Sequence, residues 1–497
     1  MVVAAESEPK TGNQRVFTLW VNLTTFHGVI DWYKSKHCCS ISFWAVIVLA
    51  FAILCLTQVI ILIGHFFADD HYTSNIYMSR NHYPPFPNVT VCNLNRINKT
   101  KADRLKFSAQ AATFLFEASM VSNTLPMDDK LRPVFETAWK SFLARKDVDS
   151  KLKDSIELLR YLGHSCKETF VKCYFAWQIF DCCKNAEAII NREYGLCWAV
   201  TPPASKINGQ FQEVASQSLP GLSNGLSLIT NPGLQFYMDS ELYFNNYLEE
   251  GLVLSINYNR YQMHFDNPIV LSPGKHARIS VQSEKFIFQT PKLNLFEMEC
   301  AKDAQLKILK GPYNDENCVA DCDQQYINRT CKCVAISEHK TNIRTCEGRD
   351  FHWCFNESNP SLDGPDFEAV RCFENCKPSC NETWQVQSSV SVSDYPASKF
   401  ATPMADYMSK NNIAILSAEE VKNLIVIDAY FPTRGHTVIN RYESTSLLQL
   451  ISNIGGQTGL WLGASLITLI QGVYYLGFGL FRRCISDRAL AEHQRTV

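Results

Sequence analysis

NIGGQTGLWLGASLITLIQGVYYLG, residues 453–477, is apolar enough to lie in a bilayer, yet it carries glycine along its whole length. Glycine weakens helices, and inside hydrocarbon every backbone polar group needs an internal partner. So many glycines need a physical reason. Gly455, Gly459 and Gly463 are four apart, a doubled small-xxx-small pattern that lets helices approach closely. On a helical wheel at about 100° per residue, Asn453, Gln457, Thr458, Ser465, Thr468 and Gln471 share an arc of roughly 140°, with those glycines outside it. Ile454 and Trp461 intrude on the arc. A polar stripe and a glycine face on one segment imply several copies around a wet axis. The alternative is a packed span in a dimeric receptor, its polar residues bonded across helices. Gly463, Ala464 and Ser465 form the expected break. Three small residues allow an unwound stretch whose carbonyls face the axis and replace the hydration shell of a cation. Such backbone exposure is tolerated only where it lines a cavity.

The apolar run containing this stretch extends from about Leu447 to Phe481. As a straight helix it would measure ~50 Å against a hydrocarbon core of ~30 Å, so it must protrude, tilt or break. A second run, ISFWAVIVLAFAILCLTQVIILI from Ile41 to Ile63, has Gln58 as its only strongly polar residue. It spans ~35 Å, enough to cross; a buried core helix is the alternative. Residues 64–446 contain no comparable stretch. Lys34 and Lys36 precede the first run, and Arg482 and Arg483 follow the second, which predicts two spans with both termini cytosolic and the middle outside. The polar, acidic N-terminus does not read as a cleavable signal peptide, because its first apolar run begins too late.

The 497 residues carry 47 Lys+Arg against 49 Asp+Glu. There is no basic surplus to neutralise phosphates, so nucleic acid is not an expected partner. Of the 20 cysteines, Cys38, Cys39, Cys55 and Cys484 lie near the two ends, and the rest fall between Cys92 and Cys380. That density fits an oxidising compartment; zinc ribbons are the alternative for paired cysteines. The same middle region holds the glycosylation sequons at Asn88, Asn98, Asn328, Asn356 and Asn381. A further match at Asn22 precedes the first span and should be unused.

YPPFPNVTVCNLN, residues 83–95, reads as an extended entry followed by a strand. Residues 101–120, 146–162 and 184–194 read as helices. Residues 250–290 read as strands broken at SPGK, and NLIVIDAYFP, 423–432, as a strand leading within about 20 residues into the second span. The middle is therefore mixed α+β. Cys318 and Cys322 are four apart, as are Cys372, Cys376 and Cys380, a spacing that shares one helical face. Two antiparallel segments stapled in a nested ladder are the simplest reading, although spacing alone does not fix connectivity. Each bridge adds ~2–4 kcal/mol.

His27-Gly28 before the first span, FPNVTVCN after it, YGLC ending at Cys197, the cysteine series from Cys300 to Cys380, and SNIGGQTGLWLGAS entering the second span occur in order along nearly the whole chain. Together they resemble the degenerin/epithelial sodium channel family, which includes acid-sensing channels. The spacing from Cys173 to Cys182 and Cys183, the YGLC and the short tails look most like its insect pickpocket branch. The resemblance implies a trimer of two-span subunits with a hand-like ectodomain of palm, knuckle, finger, β-ball and thumb. It implies conduction of Na⁺ and block by amiloride. Gly463, Ala464 and Ser465 match the selectivity filter. His27 and Gly28 match the pre-span loop that affects gating. Ser452 matches the small residue whose enlargement holds such channels open, with Asn453 beside it, and Gln457, Thr468 and Gln471 line the pore. The implied disulfides are Cys92–Cys197, Cys300–Cys380, Cys318–Cys376, Cys322–Cys372, Cys331–Cys354 and Cys333–Cys346. Cys173 would pair with Cys182 or Cys183, leaving Cys166 and the other of these two to bridge each other or stand outside the pattern. Two positions depart from the family. Gln471 replaces an acidic residue, which removes cation-attracting charge from the inner pore, and Asn453 replaces an acid found near the gate of acid-sensing relatives.

The expected organisation is a cytosolic segment 1–40, a first span 41–67, an extracellular domain 68–446 and a second span 447–481, with a cytosolic tail 482–497. Within the domain, 101–200 is finger-like, 300–382 thumb-like, and palm strands lie in 70–95, 250–290 and 385–440. The expected function is a plasma-membrane Na⁺ channel subunit, homo- or heterotrimeric, gated by an extracellular ligand or mechanical stimulus. The strand near Leu424–Tyr430 would carry motion to the second span. Asp69, Asp70 and Glu443 would either concentrate cations outside the membrane or be solvated surface charges. A two-span adhesion or scavenger receptor would share topology and cysteines but would not need the glycine-interrupted span. An ATP-gated trimeric channel would need a lysine cluster, and none stands out. No catalytic residue, metal site or cofactor is expected: the histidines are scattered, and no nucleophile elbow, P-loop or HExxH is present.

Overall fold

The computed structural model describes residues 18, 20–67, 72–80, 84–117, 132–191, 193–204, 206–207, 210–211, 215–217, 219–238, 249–259, 267–289, 300–302, 304–336, 343–346, 350, 372–396, 398–468 and 470–475. Along the chain the elements run α1 (Val29–Lys34), α2 (Cys38–Phe66), β1 (Tyr72–Ser79), β2 (Asn88–Asn93), α3 (Lys99–Leu105), α4 (Ala109–Glu117), α5 (Arg132–Ala144), α6 (Ser155–Leu162), α7 (Cys166–Thr169), β3 (Phe170–Phe175), β4 (Gln178–Phe180), β5 (Ala186–Asn191) and β6 (Gly195–Val200). They continue with β7 (Lys206–Ile207), β8 (Gln210–Phe211), β9 (Leu226–Thr230), β10 (Leu252–Asn257), β11 (Ile269–Leu271), β12 (Lys275–Phe288), α8 (Asp315–Cys331), β13 (Thr383–Asp394), α9 (Ala401–Lys410), α10 (Ala418–Lys422), β14 (Ile425–Tyr430), β15 (His436–Glu443) and α11 (Leu447–Leu462). The chain divides into two units. One comprises Met1–Thr73, Pro291–Phe296 and Tyr442–Val497; the other comprises Ser74–Thr290 and Glu297–Arg441.

The larger unit is built on two sheets. One has eight strands in the order β1-β15-β12-β14-β9-β3-β4, with β13 on β12; the other has five, in the order β11-β10-β2-β6-β5. Their inner faces share one core, in which Val89, Val91, Val200, Leu252 and Leu254 meet Leu226, Leu228, Ile279, Ile425 and Ile427. The β-branched run of β14 is buried because it lies mid-sheet, parallel to β12 and antiparallel to β9. A second core of Phe107, Phe114, Phe135, Trp139, Phe142, Leu158, Leu159 and Leu162 gathers the helices α3 to α6.

The segments read as palm strands contribute to both sheets: β1 and β12 lie in the eight-stranded one, and β2, β10 and β11 in the five-stranded one. Within 101–200, α3 to α7 come first, and β3 to β6 belong to the sheets. One sequence expectation changes here. Residues 184–194, read as a helix, instead contain β5, which pairs with β6 from Ala186↔Val200 to Asn191↔Gly195. Sheet pairing and burial of Ile189 and Ile190 override the helix propensity of Ala and Glu there.

Disulfides brace this unit. Cys92–Cys197 joins directly opposed residues of β2 and β6. Cys318–Cys376 and Cys322–Cys372 run from successive turns of α8 to the segment Cys372–Cys376, outer with outer and inner with inner, and Cys300–Cys380 and Cys333–Cys346 flank them. Cys331 is disulfide-bonded; its expected partner Cys354 lies outside the described residues. Cys173–Cys182 and Cys166–Cys183 account for the four cysteines around β3 and β4. The sulfurs of Cys318, Cys322 and Cys376 lie within 4.8 Å of one another, but all three are oxidised and offer a metal no thiolate. Among the described residues, Cys38, Cys39 and Cys55 are free.

Two sequons are corrected by burial. Asn88 lies in a fully buried strand, its amide donating to the Tyr258 carbonyl and accepting from Thr201. Asn98 is 1% exposed and caps α3 by accepting from the Thr100 N–H. Neither has room for a glycan. Asn328 is partly exposed on α8, Asn381 is exposed, and Asn356 lies outside the described residues.

In the smaller unit, α2 is 29 residues of nearly continuous apolar sequence, ~44 Å long and sufficient to cross a bilayer. It is the one helix among the described residues that is long and apolar enough to do so unbroken. The second apolar segment is divided. α11 starts under a Ser446 cap and ends at Gly463, and the chain is helical again at 466–468 and 470–475. Residues 476–481 lie outside the described residues.

A candidate pore segment braced by an N-terminal loop

The break forms at Gly463 because the backbone there takes φ 66°, a left-handed conformation that only glycine adopts cheaply. The Gly463 N–H still bonds the Gly459 carbonyl at 3.0 Å and the Ala464 N–H bonds Thr458 at 3.2 Å, closing the end of α11. The helix then restarts on a reciprocal cap. The Thr468 N–H donates to Ser465 Oγ, and the Ser465 N–H donates to Thr468 Oγ1, each at 3.2 Å. Thr468 thus plays the part of the third residue of a capping box.

Helical carbonyls orphaned by the break are taken by the segment preceding α1. The His27 N–H donates to Leu462 O at 2.9 Å, and the Thr25 hydroxyl donates to Gly463 O at 3.1 Å. Thr25 Oγ1 also lies 2.5 Å from Thr468 Oγ1, and Thr468 is 1% exposed. The loop is fixed at its other side by Gly28, whose φ of 77° turns the chain into α1. A Cβ at Gly28 would lie 2.9 Å from Val48 Cγ2 on α2, and a Cβ at Gly463 would lie 2.5 Å from the His27 ring. Both positions therefore need glycine for conformation and for space. His27 and Gly28 also line a cleft of about 320 Å³ with Trp44, Ile47, Phe51, Leu460 and Trp461.

The sequence-selected residues fall into three groups. His27 and Gly28 are brought onto Gly463, with Ala464 buried and Ser465 exposed beside them. Gln457 is engaged elsewhere: Trp461 Nε1 donates to Gln457 Oε1 at 2.9 Å and to Gln58 Oε1 of α2 at 2.8 Å. Its amide thus belongs to a contact between the two apolar helices. Ser452 and Asn453 are exposed, and open space surrounds Gly455 and Gly456. Thr468, which shares the polar arc of a continuous wheel with Gln457, is buried here, with its hydroxyl against that of Thr25. Sequence reading also missed Thr25 as a site residue. Gln58 was visible as the only strongly polar residue of its run, although its partner was not.

The family model described as amiloride-sensitive sodium channel matches residues 20–475. The chain is 24% identical over 475 residues to the human bile acid-sensitive ion channel, covering 93% of this chain and 86% of that protein. It is 21% identical to chicken acid-sensing ion channel 1, over 82% of this chain and 74% of the relative. It is 24% identical to the mouse epithelial sodium channel subunit beta, over 62% and 47% respectively.

Proposed function

The chain belongs to the amiloride-sensitive sodium channel family, and on that premise we propose that it is a subunit of a trimeric Na⁺ channel whose pore is lined by the broken helical segment from Leu447. The observation that carries this reading is the break at Gly463–Ser465, braced by Thr25 and His27 of the same chain. A break inside hydrocarbon is tolerated only where protein or water meets the freed backbone. The loop meets one side, and a water-filled axis would meet the other. The open space at Gly455 and Gly456 suits close approach by neighbouring copies.

In this reading both apolar segments cross the plasma membrane, both termini are cytosolic, and the disulfide-braced unit faces outside. Na⁺ sheds water at Gly463–Ser465, and the gate lies at Ser452 and Asn453. A ring of Gln471, uncharged, attracts cations less than a carboxylate ring would, which lowers conductance or the preference for Na⁺ over K⁺. An extracellular ligand or force displaces the disulfide-stiffened unit. Only residues 444–446 separate β15 from α11, so strand motion reaches the helix along the chain itself. The spacing of Cys173, Cys182 and Cys183 supports the pickpocket branch. The assembly is a homotrimer or a heterotrimer with related subunits, and amiloride is the expected blocker.

The test is voltage-clamp recording of surface-expressed wild type and Ser452→Trp. The bulky residue should hold the gate open and give a standing inward current, lost when Na⁺ is replaced by a large organic cation and blocked by amiloride. No such current from Ser452→Trp at normal surface density, alone or with a related subunit, refutes the reading.

A further inference from the structure

Trp461 joins α11 to α2, and its bonds leave donors unmet. The indole N–H is a donor only, and it is shared between Gln58 Oε1 at 2.8 Å and Gln457 Oε1 at 2.9 Å. Both carboxamides therefore turn their oxygens toward Trp461 and their NH₂ groups away from it. Among the described residues neither NH₂ group has a hydrogen-bond partner. The nearby hydroxyls are satisfied inside their own helices: Thr57 donates to the Ile53 and Leu54 carbonyls, and Thr458 to those of Ile454 and Gly455. Gln58 lies within the apolar run Ile41–Ile63, where hydrocarbon supplies no acceptor and a stranded donor is costly.

Acceptors are left over on another face of α11. Ser452 is exposed, and its hydroxyl has no partner among the described residues. The Gly456 carbonyl keeps a second lone pair beyond its helical bond, and a Cβ built at Gly456 would meet nothing within 4 Å. Ser452 and Gly456 are one turn apart, roughly 100–140° around α11 from Gln457. Donors and acceptors thus lie at similar depth on different faces, and a single chain does not join them. We propose that a second copy of this chain does: Gln58 and Gln457 of one copy donate to the Gly456 carbonyl and the Ser452 hydroxyl of the next. Copies related by an axis along the membrane normal sit at equal depth, and Gly456 is one residue from Gln457, so the levels match. Each copy offers donors to one neighbour and acceptors to the other, a head-to-tail contact that closes into a ring. This seam presupposes the trimer proposed above and names the side chains that bind it together.

The test co-expresses two differently tagged full-length chains, both with Cys38, Cys39, Cys55 and Cys484 replaced by alanine. One carries Gln58→Cys and the other Gly456→Cys, a position with room for the side chain. Membranes are treated with a bis-methanethiosulfonate on a two-carbon spacer, and the size of the assembly is read by native mass spectrometry. A mixed-tag dimer on non-reducing gels is expected from this pair. It is not expected from Ile60→Cys with Gly456→Cys, because Ile60 is exposed roughly 160° around α2 from Gln58. A trimer without the mixed-tag product, or with as much of it from Ile60→Cys, overturns the seam and leaves the trimer standing. The product in an assembly of two copies keeps the seam and overturns the trimer, and a chain that stays monomeric overturns both. As a second measurement, in the chain with its native cysteines, Gln58→Leu should raise the trimer dissociation constant in dodecyl maltoside by about threefold per seam and roughly twentyfold over three, the scale of an interhelical bond in a membrane. A constant equal to wild type overturns the proposal whatever the crosslinker reaches, and neither readout depends on conduction.

Discussion

Replacing Gly463 by Ala tests the braced break directly. Two costs arise, and they are separable. An L-residue at φ 66° costs about 1–2 kcal/mol. The new methyl would also lie 2.5 Å from Cδ2 and Nε2 of His27, so the ring and its loop must move. Displacing the loop loses the His27 N–H bond to Leu462 O and the Thr25 bond to Gly463 O, each worth about 0.5–1.5 kcal/mol. Together the bias against the docked arrangement is on the order of 2–5 kcal/mol, a factor of ~30 or more in its population. Whole-cell current, normalised to biotinylated surface protein, should fall accordingly. His27→Ala removes the ring but keeps the backbone donor, so alone it should cost little. Combined with Gly463→Ala it should abolish the clash component and leave only the ~1–2 kcal/mol conformational one. Additive effects of the two substitutions, or a Gly463→Ala current equal to wild type, would refute the contact between glycine and ring.

Thr25→Val should reduce normalised current, because it removes the donor to Gly463 O and a partner of the buried Thr468 hydroxyl, a loss of about 1–3 kcal/mol; Thr25→Ser should retain it. Gln58→Leu alone should shift gating by only about 0.6 kcal/mol, since Trp461 keeps Gln457 as acceptor. Gln58→Leu with Gln457→Leu strands the indole N–H and should cost more than the two single changes together, read as current–dose curves and thermal stability. In the larger unit, burial pushes His164 down to about 4, with Glu168 opposing the shift and Lys101 adding to it. The folded protein therefore keeps His164 neutral while the unfolded chain protonates near its usual value. Its stability is full above pH ~6.5 and falls as pH drops toward ~4, by on the order of 3 kcal/mol. Hydrogen exchange in α6 and β6 should quicken over that window in wild type and lose the slope in His164→Gln.

What could be read from the residues was whatever depends on composition and period. The apolar length of α2 and the alternating, β-branched run of β14 both announce their elements locally. The break at Gly463 was legible because glycine is a poor helix former and takes a left-handed φ without strain. The four-residue spacing of Cys318 and Cys322 likewise anticipates which successive helical turns carry the ladder. What escaped was set by partners distant in sequence. β5 looked helical because Ala and Glu were weighed without β6 beside them. Asn88 and Asn98 match a three-residue motif that carries no information about burial. Thr25 has no periodic signature at all; its role comes from a hydroxyl placed 438 residues away from the carbonyl it bonds.

The bracing also explains why the break and the loop must be considered together. In an uninterrupted helix the Leu462 carbonyl would accept from the N–H of Leu466, and that of Gly463 from Ile467. Here those same two acceptors serve His27 and Thr25. The loop and a continuous helix thus draw on the same two carbonyls, and the left-handed turn at Gly463 that presents them to the loop is incompatible with an unbroken helix. The left-handed φ at Gly463 and at Gly28 tips this competition toward the loop, since each would be strained with any side chain. A substitution that favours continuous helix from Leu462 onward should therefore release the N-terminal segment without touching it. Conversely, weakening the loop should straighten the helix. The glycine-rich sequence is then the means by which one stretch of chain keeps its carbonyls available, first to the loop that braces it and, in the proposed trimer, to the ion that passes.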